Sequence, residues 1–249
     1  MQEGHTTAFG IWKQYGLTVS SSGLEEASNE GESQVKNLFQ AKTEQAMLSF
    51  ADKLSTDIVL DGTGNSSKNI TGLAAMNETT PGTTSYMSVP TTDTYWRNRV
   101  SASVGSTAVN LVPTLRTLVN NCSRGRGDAG SAPDFGITTQ TIYEALEALM
   151  FPHVRYTDAN TRGTVNVGIK GFEYNGMKIT WSPYMTSGEF HVLNSRHVSL
   201  VVHRKRNIKM LEGGAQQPIN QDAAIALIVW MGNLITTARR KGGKLAGLT

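Results

Sequence analysis

The longest regular pattern of apolar and polar positions in the sequence runs from Glu32 to Ile58. Its apolar residues recur at spacings of three, four and seven, which predicts one amphipathic helix. They are Val35, Leu38, Phe39, Ala46, Met47, Phe50, Leu54 and Ile58. Ser28 and Asn29 are suited to cap the start of this helix, and the Gly-rich turn that begins at Asp61 is suited to end it. At about 27 residues the helix is roughly 40 Å long, so we interpret it as a strut that carries other elements along one side.

A strand pattern precedes this helix. Residues from Ala8 to Ser20 roughly alternate between apolar and polar types, which predicts a β-strand. The sequence offers no upstream segment to pair with it. We therefore expect an edge strand with unpaired backbone groups, completed by a missing segment or by another chain.

The middle of the chain alternates between helix and strand patterns. Thr107 to Asn121 has apolar residues at helical spacing, and the regular helix is expected to begin near Leu111, because Pro113 is tolerated only in a first turn. A short buried strand is predicted from Pro133 to Ile137, followed by a helix that carries Ile142 and Leu146. This order is typical of a small α/β domain.

Turn and strand patterns fill the rest of the chain. Asn77 to Asp93, rich in Thr, Ser, Pro and Gly, predicts an exposed loop, and Trp96 after it is expected to pack in a core. Phe172 to Ile179 predicts a hairpin that turns at Asn175-Gly176. Asp222 to Met231 is apolar enough for a strand or a buried helix. Further strands are predicted at Val165 to Ile169, Phe190 to Leu193, Val198 to Val202 and Gly232 to Thr237.

Composition limits the classes of protein that fit. The chain has 249 residues, of which 39% are hydrophobic, so it can bury a substantial core as one elaborate domain or two smaller ones. No apolar run is long enough to span a bilayer, and the N-terminus lacks the pattern of a secretory signal. Cys122 is the single cysteine, which excludes an intrachain disulfide. A formal net charge of +3 is too small to indicate nucleic-acid binding by itself.

No set of residues in the sequence has the spacing of a catalytic, cofactor or metal site. His191, His197 and His203 are evenly spaced, but no cysteine or carboxylate completes a metal site with them. The nucleophile elbow, the zinc-protease motif and the P-loop are all absent. We therefore predict no catalytic residue, no cofactor and no metal, and a protein that is not an enzyme.

Two basic clusters extend over Arg204 to Lys209 and Arg239 to Lys244. Neither has interleaved aromatic residues of the kind that stack on bases, so phosphate contacts would be diffuse and sensitive to salt. We interpret both clusters as solvated faces or as partners in ion pairs between subunits.

A series of short motifs carries a resemblance to a known family. In chain order, around the long helix, they are Ile11-Trp12-Lys13-Gln14, Leu24-Glu25-Glu26 with Asn29 and Gly31, Asp61-Gly62-Thr63-Gly64, Ile70-Thr71-Gly72-Leu73, Tyr95-Trp96-Arg97-Asn98, Asn220-Gln221-Asp222-Ala223 and Trp230 with Gly232-Asn233-Leu234. From about Phe9 to Leu248 the sequence resembles the major capsid protein of tailed double-stranded DNA phages, which has the Hong Kong 97-type fold.

The resemblance implies an α+β fold with a long spine helix, a peripheral-domain sheet, an α/β axial domain and an extended E-loop. The implied domains are an E-loop at residues 1–27, a peripheral domain at 28–104 and 195–238, and an axial domain at 105–194 and 239–249. The strands at Val198 to Met210 and Asp222 to Thr237 would form the peripheral sheet. The loops at Ser123 to Pro133 and Thr157 to Gly163 would face the capsomer centre.

The implied function is self-assembly of hexamers and pentamers into an icosahedral shell that encloses the phage genome. The implied partners are other copies of the chain, packaged DNA through weak sequence-independent contacts, and scaffold, portal, protease or decoration proteins, with no membrane. The implied location is the virion capsid, assembled in the host bacterial cytoplasm. Because weak contacts between subunits are repeated many times over a shell, the particle can be stable although each interface contributes only modestly.

One departure and two alternatives accompany this resemblance. The family's N-terminal arm and first E-loop strand have no counterpart before Trp12, so we expect a fragment, or an arm that is encoded or removed elsewhere. A bacterial nanocompartment shell, which encloses an enzyme, has the same architecture. The other alternative is a cytoplasmic enzyme or small-molecule binder, which would be a small oligomer with a ligand-dependent melting shift.

Overall fold

The computed structural model describes residues 7–29, 38–102, 104–105, 107–123, 132–150, 172–211 and 216–249. The strands are β1 (Lys13–Ser22), β2 (Ser85–Tyr86), β3 (Val89–Pro90), β4 (Arg99–Ser101), β5 (Phe135–Thr138), β6 (Phe172–Tyr174), β7 (Met177–Trp181), β8 (Phe190–Leu193), β9 (Val198–Val202), β10 (Lys209–Met210), β11 (Ala223–Thr236) and β12 (Gly243–Leu245). The helices are α1 (Gly23–Ser28), α2 (Leu38–Val59), α3 (Gly64–Ser67), α4 (Leu73–Met76), α5 (Thr107–Ser123) and α6 (Gln140–Met150), with a 3-10 helix at Arg239–Lys241.

Contacts divide the described residues into two compact units. The six-stranded unit contains those of Met1–Phe9, Leu73–Ser199 and Thr236–Thr249. The four-stranded unit contains those of Gly10–Gly72 and Leu200–Ile235. The division after Gly72 falls earlier than the expected domain boundary after residue 104, because β4 pairs with β12 in the six-stranded sheet.

The central ladder of the four-stranded unit joins β1 to β11. The two strands pair antiparallel from Lys13 opposite Gly232 to Ser22 opposite Ala223, and β9 and β10 also pair with β11. The expectation that the N-terminal strand has no partner in this chain is therefore wrong. Its partner, β11, lies near the other end of the sequence. The apolar run there, for which the sequence allowed a strand or a buried helix, forms a single long strand.

Aromatic residues join this sheet to α2. Tyr15 and Trp230 lie opposite each other in the ladder, and Phe50 of α2 has its ring centroid 6.0 Å from each of theirs. Ile70 completes this core. The predicted amphipathic helix is confirmed from Leu38 to its end at Val59, before the turn at Asp61.

The start predicted for the long helix lies outside the described residues, which omit 30–37. Ser28 and Asn29 have a different role from the predicted one, because they end the short helix α1, with Asn29 as its C-cap. The end of α2 requires a glycine nearby. A Cβ atom on Gly72 would lie 2.3 Å from the backbone oxygens of Ile58 and Leu60.

The six-stranded unit has the strand order β4-β12-β8-β5-β7-β6. Apolar residues of α5 and α6 pack with those of the sheet, which confirms the α/β prediction for the middle of the chain. The fully buried members of this core include Leu111, Leu115, Leu146, Met177, Phe190 and Leu245. The hairpin of β6 and β7 turns at Asn175 and Gly176, whose φ angles are 51° and 78°, as the Asn-Gly pair predicts.

The prediction of an exposed loop before Trp96 needs correction. The segment from Asn77 to Asp93 is not simply an exposed loop, since it forms the β2–β3 hairpin and buries Tyr86 and Val89. Its Tyr86 carbonyl accepts a hydrogen bond of 3.2 Å from the Trp96 indole, so the prediction that Trp96 packs in a core is confirmed.

Pro113 lies inside α5 rather than in its first turn. The proline is exposed, and the leucines on the other side of the helix are buried. Burial therefore offsets the hydrogen bond that the proline cannot donate.

The predicted strand from Val165 to Ile169 lies outside the described residues. None of the helices in the described part of the chain has the length and apolar character needed to cross a membrane.

Candidate assembly and binding surfaces

The three evenly spaced histidines are not brought together. His191 is buried in β8, His197 is in the turn before β9, and His203 follows β9 in the four-stranded unit. Within the described ranges, no group of three or more metal-type side chains could hold an ion. These histidines therefore form no common site.

In the six-stranded unit the Glu189 carboxylate contacts two buried basic side chains, those of Lys244 and His191. Lys244 Nζ lies 2.6 Å from Glu189 Oε1, and His191 Nε2 lies 3.2 Å from Oε2. His191 and Lys244 are direct neighbours on β8 and β12. Asn77 lies on the other side of the imidazole, with its Nδ2 3.5 Å from His191 Nδ1. A neutral imidazole protonated on Nε2 satisfies both contacts.

Burial and hydrogen bonding set the charges of this cluster. Burial lowers the pKa of His191, and the nearby Lys244 charge adds to that effect, while the hydrogen bond to Glu189 opposes it. Burial alone would raise the pKa of Glu189, but hydrogen bonds from His191 and Lys244 outweigh it and hold this pKa below its ordinary value. The cluster therefore favours an ionised glutamate beside a neutral histidine.

Arg239 is the largest fully buried side chain among the described residues of the six-stranded unit. Its Nε donates to the Met76 carbonyl at 2.6 Å, and its Nη2 lies 3.1 Å from Glu78 Oε1. The guanidinium carbon lies 4.9 Å from the centre of the Tyr86 ring. The prediction that the cluster from Arg239 to Lys244 forms a solvated face or ion pairs between subunits is wrong for its first and last members, because both make ion pairs inside the chain.

A polar network fixes β1 to the end of α2 in the four-stranded unit. The Tyr15 hydroxyl donates to Asp57 Oδ2 at 2.8 Å and accepts the Ile70 N–H at 2.9 Å. Asp57, fully buried, also accepts from Lys53 Nζ at 2.8 Å and from Asn69 Nδ2 at 3.1 Å. Burial, with contributions from the Asp57 hydrogen bond and charge, raises the pKa of the Tyr15 hydroxyl. Sequence inspection missed the role of Tyr15 because its partners Asp57 and Ile70 lie 42 and 55 positions away in the chain.

The outer edge of β1 is a candidate surface for contacts between copies. The Gly23 N–H donates to the Asp222 carbonyl at 3.0 Å, so the odd-numbered residues of β1 form the hydrogen-bonded pairs with β11. The backbone groups of Gln14, Gly16 and Thr18 consequently point away from β11. Exposed apolar side chains precede and follow this edge, namely Phe9, Ile11, Trp12 and Leu24.

The cluster from Arg204 to Lys209 occupies the turn after β9 and the first residue of β10, and it is exposed except at the half-buried Arg206. The sequence gives it no aromatic neighbour, but in space Trp12 has its ring centroid 5.6 Å from that of His203, in an edge-to-face arrangement. Trp12 is close to this cluster because the start of β1 and the turn after β9 lie at the same end of β11.

The loops expected to face a capsomer centre fall mainly outside the described residues, which omit 124–131 and 151–171. Their proposed placement stays a prediction.

No protein-family model and no curated protein sequence matches the chain. Solved structures do match it at low sequence identity. A subunit of the cyanophage A-1(L) capsid matches 95% of this chain and 77% of its own length, with a TM-score of 0.67 and 11% identity. The capsid of the Myoviridae phage XM1 matches 95% of this chain and 74% of its own, with a TM-score of 0.56 and 14% identity.

An encapsulin structure is also similar. The holo-SrpI encapsulin complex from Synechococcus elongatus matches 96% of this chain and 74% of its own, with a TM-score of 0.61 and 10% identity. The chain has the Hong Kong 97-type capsid fold. The α+β prediction is therefore confirmed, since the matches cover the mixed sheet and helix elements over nearly the whole described chain. These Hong Kong 97-type neighbours are capsid and shell proteins rather than enzymes.

Proposed function

We propose that this protein is a major capsid protein of a tailed phage, which self-assembles as hexamers and pentamers into an icosahedral shell around double-stranded DNA. The observation that carries the proposal is the Hong Kong 97-type fold over nearly the whole chain. Most of the similar solved structures are phage capsids. The virion is the corresponding location, with assembly in the host cytoplasm, and catalysis has no part in the role.

The proposed domains are those that the resemblance implies. Residues 1–27 would form the E-loop, 28–104 and 195–238 the peripheral domain, and 105–194 and 239–249 the axial domain. The helix α2 would be the spine helix of the peripheral domain. Support for this mapping comes from the packing of α2 on the four-stranded sheet and of α5 and α6 on the six-stranded sheet.

Packaged DNA and other virion proteins are the proposed partners besides the chain itself. Contacts with the genome would be sequence-independent and lost at high salt. Scaffold, portal, protease and decoration proteins belong to the same proposal.

A nanocompartment shell is the second candidate, because an encapsulin has the same fold at a comparable TM-score. The two functions differ in their contents. Nucleic acid inside purified particles favours the capsid, whereas a co-purified enzyme without nucleic acid favours the nanocompartment.

Size-exclusion chromatography followed by negative-stain electron microscopy tests the shell. We expect closed particles or capsomer rings. A small oligomer whose melting temperature rises with an added small molecule would contradict the proposal and favour the binding-protein alternative.

A variant tests the proposed E-loop separately. Leu24 of α1 is 79% exposed, so Leu24→Asp should leave the melting temperature of the subunit nearly unchanged but reduce particle yield at least tenfold. Normal particle yield from this variant would contradict the E-loop assignment while leaving the shell itself supported.

A further inference from the structure

A cluster of unpaired positive charge lies at one end of the four-stranded unit. The turn after β9 carries Arg204, Lys205 and Arg206, and Lys209 follows at the start of β10. Arg204, Lys205 and Lys209 are exposed, and Arg206 is half-buried. None of the four forms an ion pair with the described residues. Together with Trp12 and His203, we call these four residues the basic turn patch.

Backbone and side-chain hydrogen bonds hold the patch in place. The His203 N–H donates to the Met231 carbonyl at 2.8 Å, and the Met231 N–H donates to the Arg206 carbonyl at 2.8 Å. Arg206 Nη1 donates to Gln14 Oε1 at 2.6 Å, which ties the turn to β1. The charges are therefore presented by a structure anchored to both β11 and β1, so binding them requires little ordering of the turn.

Trp12 adds an aromatic surface to these charges. Trp12 as a residue is 45% exposed, although its ring also contacts the His203 ring edge-to-face. A solvent-exposed indole beside guanidinium and ammonium groups is the combination that stacks on an unpaired base and neutralises the adjoining phosphates. A duplex would meet only the charges, because its base faces are already stacked.

The two strands next to the patch, β1 and β11, contain no acidic residue. The side chains of β1 alternate between the face that α2 covers and the opposite face, which carries Gln14, Gly16, Thr18, Ser20 and Ser22. Asp57 lies on the opposite face, against Tyr15. Asp222 adjoins the far end of the ladder, next to the Ser22–Ala223 pair, roughly 30 Å away along the strands. The described residues of the two strands thus place no carboxylate beside the patch.

We propose that the basic turn patch binds single-stranded nucleic acid, with its four cations on phosphates and Trp12 stacked on a base. This inference goes beyond the proposed shell function and does not depend on it. An acidic peptide would use the same cations but would gain little from the indole, which makes nucleic acid the better match.

Fluorescence anisotropy on the purified full chain tests the proposal. The probes are a labelled 20-nucleotide oligothymidylate, a duplex of equal length and a labelled oligoglutamate peptide. The single strand should bind at least fivefold more tightly than the duplex or the peptide. Its affinity should fall with a slope of about −3 in a plot of log K against log salt, as expected for four phosphate contacts.

Two variants separate stacking from charge. Trp12→Ala should weaken single-strand binding at least fivefold and leave the salt slope unchanged. The double variant Arg204→Gln/Lys205→Gln should weaken binding of both nucleic acids and lower the magnitude of the slope by about 1.4. Melting temperatures within a few degrees of the parent establish that these variants are folded.

Matched controls come from the six-stranded unit. Trp181 is 44% exposed, and Arg116 and Lys178 are exposed, so Trp181→Ala and Arg116→Gln/Lys178→Gln repeat the same chemical changes elsewhere. Both should bind like the parent.

Several results would overturn the proposal. Equal losses in the control variants would locate binding outside the patch. Equal affinity for duplex and single strand, with no effect of Trp12→Ala, would reduce the patch to a non-specific phosphate surface. Tighter binding of oligoglutamate would identify an acidic protein partner instead. Electron microscopy of the same samples records particle formation independently, so failure of the shell proposal is distinguishable.

Discussion

At the scale of single residues, buried charge is concentrated where the strand β12 joins the six-stranded sheet. Lys244, almost completely buried, has its charge balanced by Glu189, and His191 shares the same carboxylate. Removing ions from water is costly, and a buried pair is retained only where geometry and further hydrogen bonds compensate. Asn77 contributes such a bond by donating to the Gly243 carbonyl at 3.2 Å. The cluster should therefore respond to pH.

The pH response has a definite sign. The lowered pKa of His191 means that below pH 6.5 the unfolded chain takes up a proton that the folded chain resists. The lowered pKa of Glu189 adds a second loss of stability at lower pH, as the carboxylate is protonated. The free energy of unfolding should thus decrease from about pH 6.5 downward.

Chemical denaturation at a series of pH values measures this decrease. His191→Gln keeps a neutral donor toward Glu189 and removes the titration, so it should flatten the profile between about pH 6.5 and 5. His197→Gln, the same change outside the cluster, provides the control. A parent stability that does not change across this range would contradict the prediction.

Tyr15 provides a second prediction at this scale. Tyr15→Phe removes the hydroxyl that donates to Asp57 and accepts from the Ile70 N–H. The Asp57 carboxylate and the Ile70 N–H each lose one hydrogen-bond partner. We expect unfolding free energy to fall by about 1–3 kcal/mol, measured by denaturant titration. Tyr95→Phe, at a residue that is 43% exposed, should change it by less than about 0.5 kcal/mol. Equal effects would contradict the role of the network.

At the scale of elements, β1 pairs with β11 along one edge, and its other edge points away from β11. Its odd-numbered residues bond β11, and they also place Tyr15, Leu17 and Val19 on the side that α2 covers. Alternation of side chains and alternation of backbone bonding thus coincide in the same register. A one-residue slip would expose the apolar side chains and is disfavoured.

Proline substitutions distinguish the two edges. Thr18→Pro removes an N–H that points away from β11, whereas Leu17→Pro removes one from a hydrogen-bonded pair with Ile228. Leu17→Pro should therefore destabilise the fold strongly, and Thr18→Pro clearly less. Thermal unfolding followed by circular dichroism compares them. The opposite order would mean that the register is assigned wrongly.

At the scale of the whole molecule, each compact unit has a core of its own. The core of the six-stranded unit includes Cys122 of α5, where burial raises the thiol pKa to about 12. The core of the four-stranded unit is centred on Phe50, Ile70 and Trp230. Under the proposed shell function, subunit association should add to the stability of the folded chain.

Association predicts a dependence on concentration. If copies of the chain bind one another only when folded, the melting temperature should rise as protein concentration is raised through the range where particles form. Scanning calorimetry with parallel light scattering measures both quantities. Leu24→Asp should abolish the dependence while retaining the melting temperature found at low concentration. A melting temperature independent of concentration, with particles present, would contradict the linkage.

Local patterns predicted most individual elements. The spacing around Phe50 gave the long helix, the Asn175-Gly176 pair gave a hairpin turn, and the apolar residues of α6 gave its helix. Each signal depends on neighbours within a few positions, where periodicity reports the face that is buried. The predictions that failed for want of a distant partner concerned the pairing of β1 and the ion pairs of Arg239 and Lys244. Others failed locally, since Pro113 lies inside α5 and the segment around Tyr86 forms a short hairpin.

The sequence by itself therefore determined the long helix, the α/β order of the middle of the chain and most of the longer strands, and through a resemblance it indicated the fold that the solved structures confirm. Only the tertiary structure decided which basic residues are buried in ion pairs and which stay exposed beside Trp12. The reason is physical. Secondary structure follows from local periodicity, whereas the environment of a charge depends on long-range strand pairing that brings remote residues within hydrogen-bonding distance.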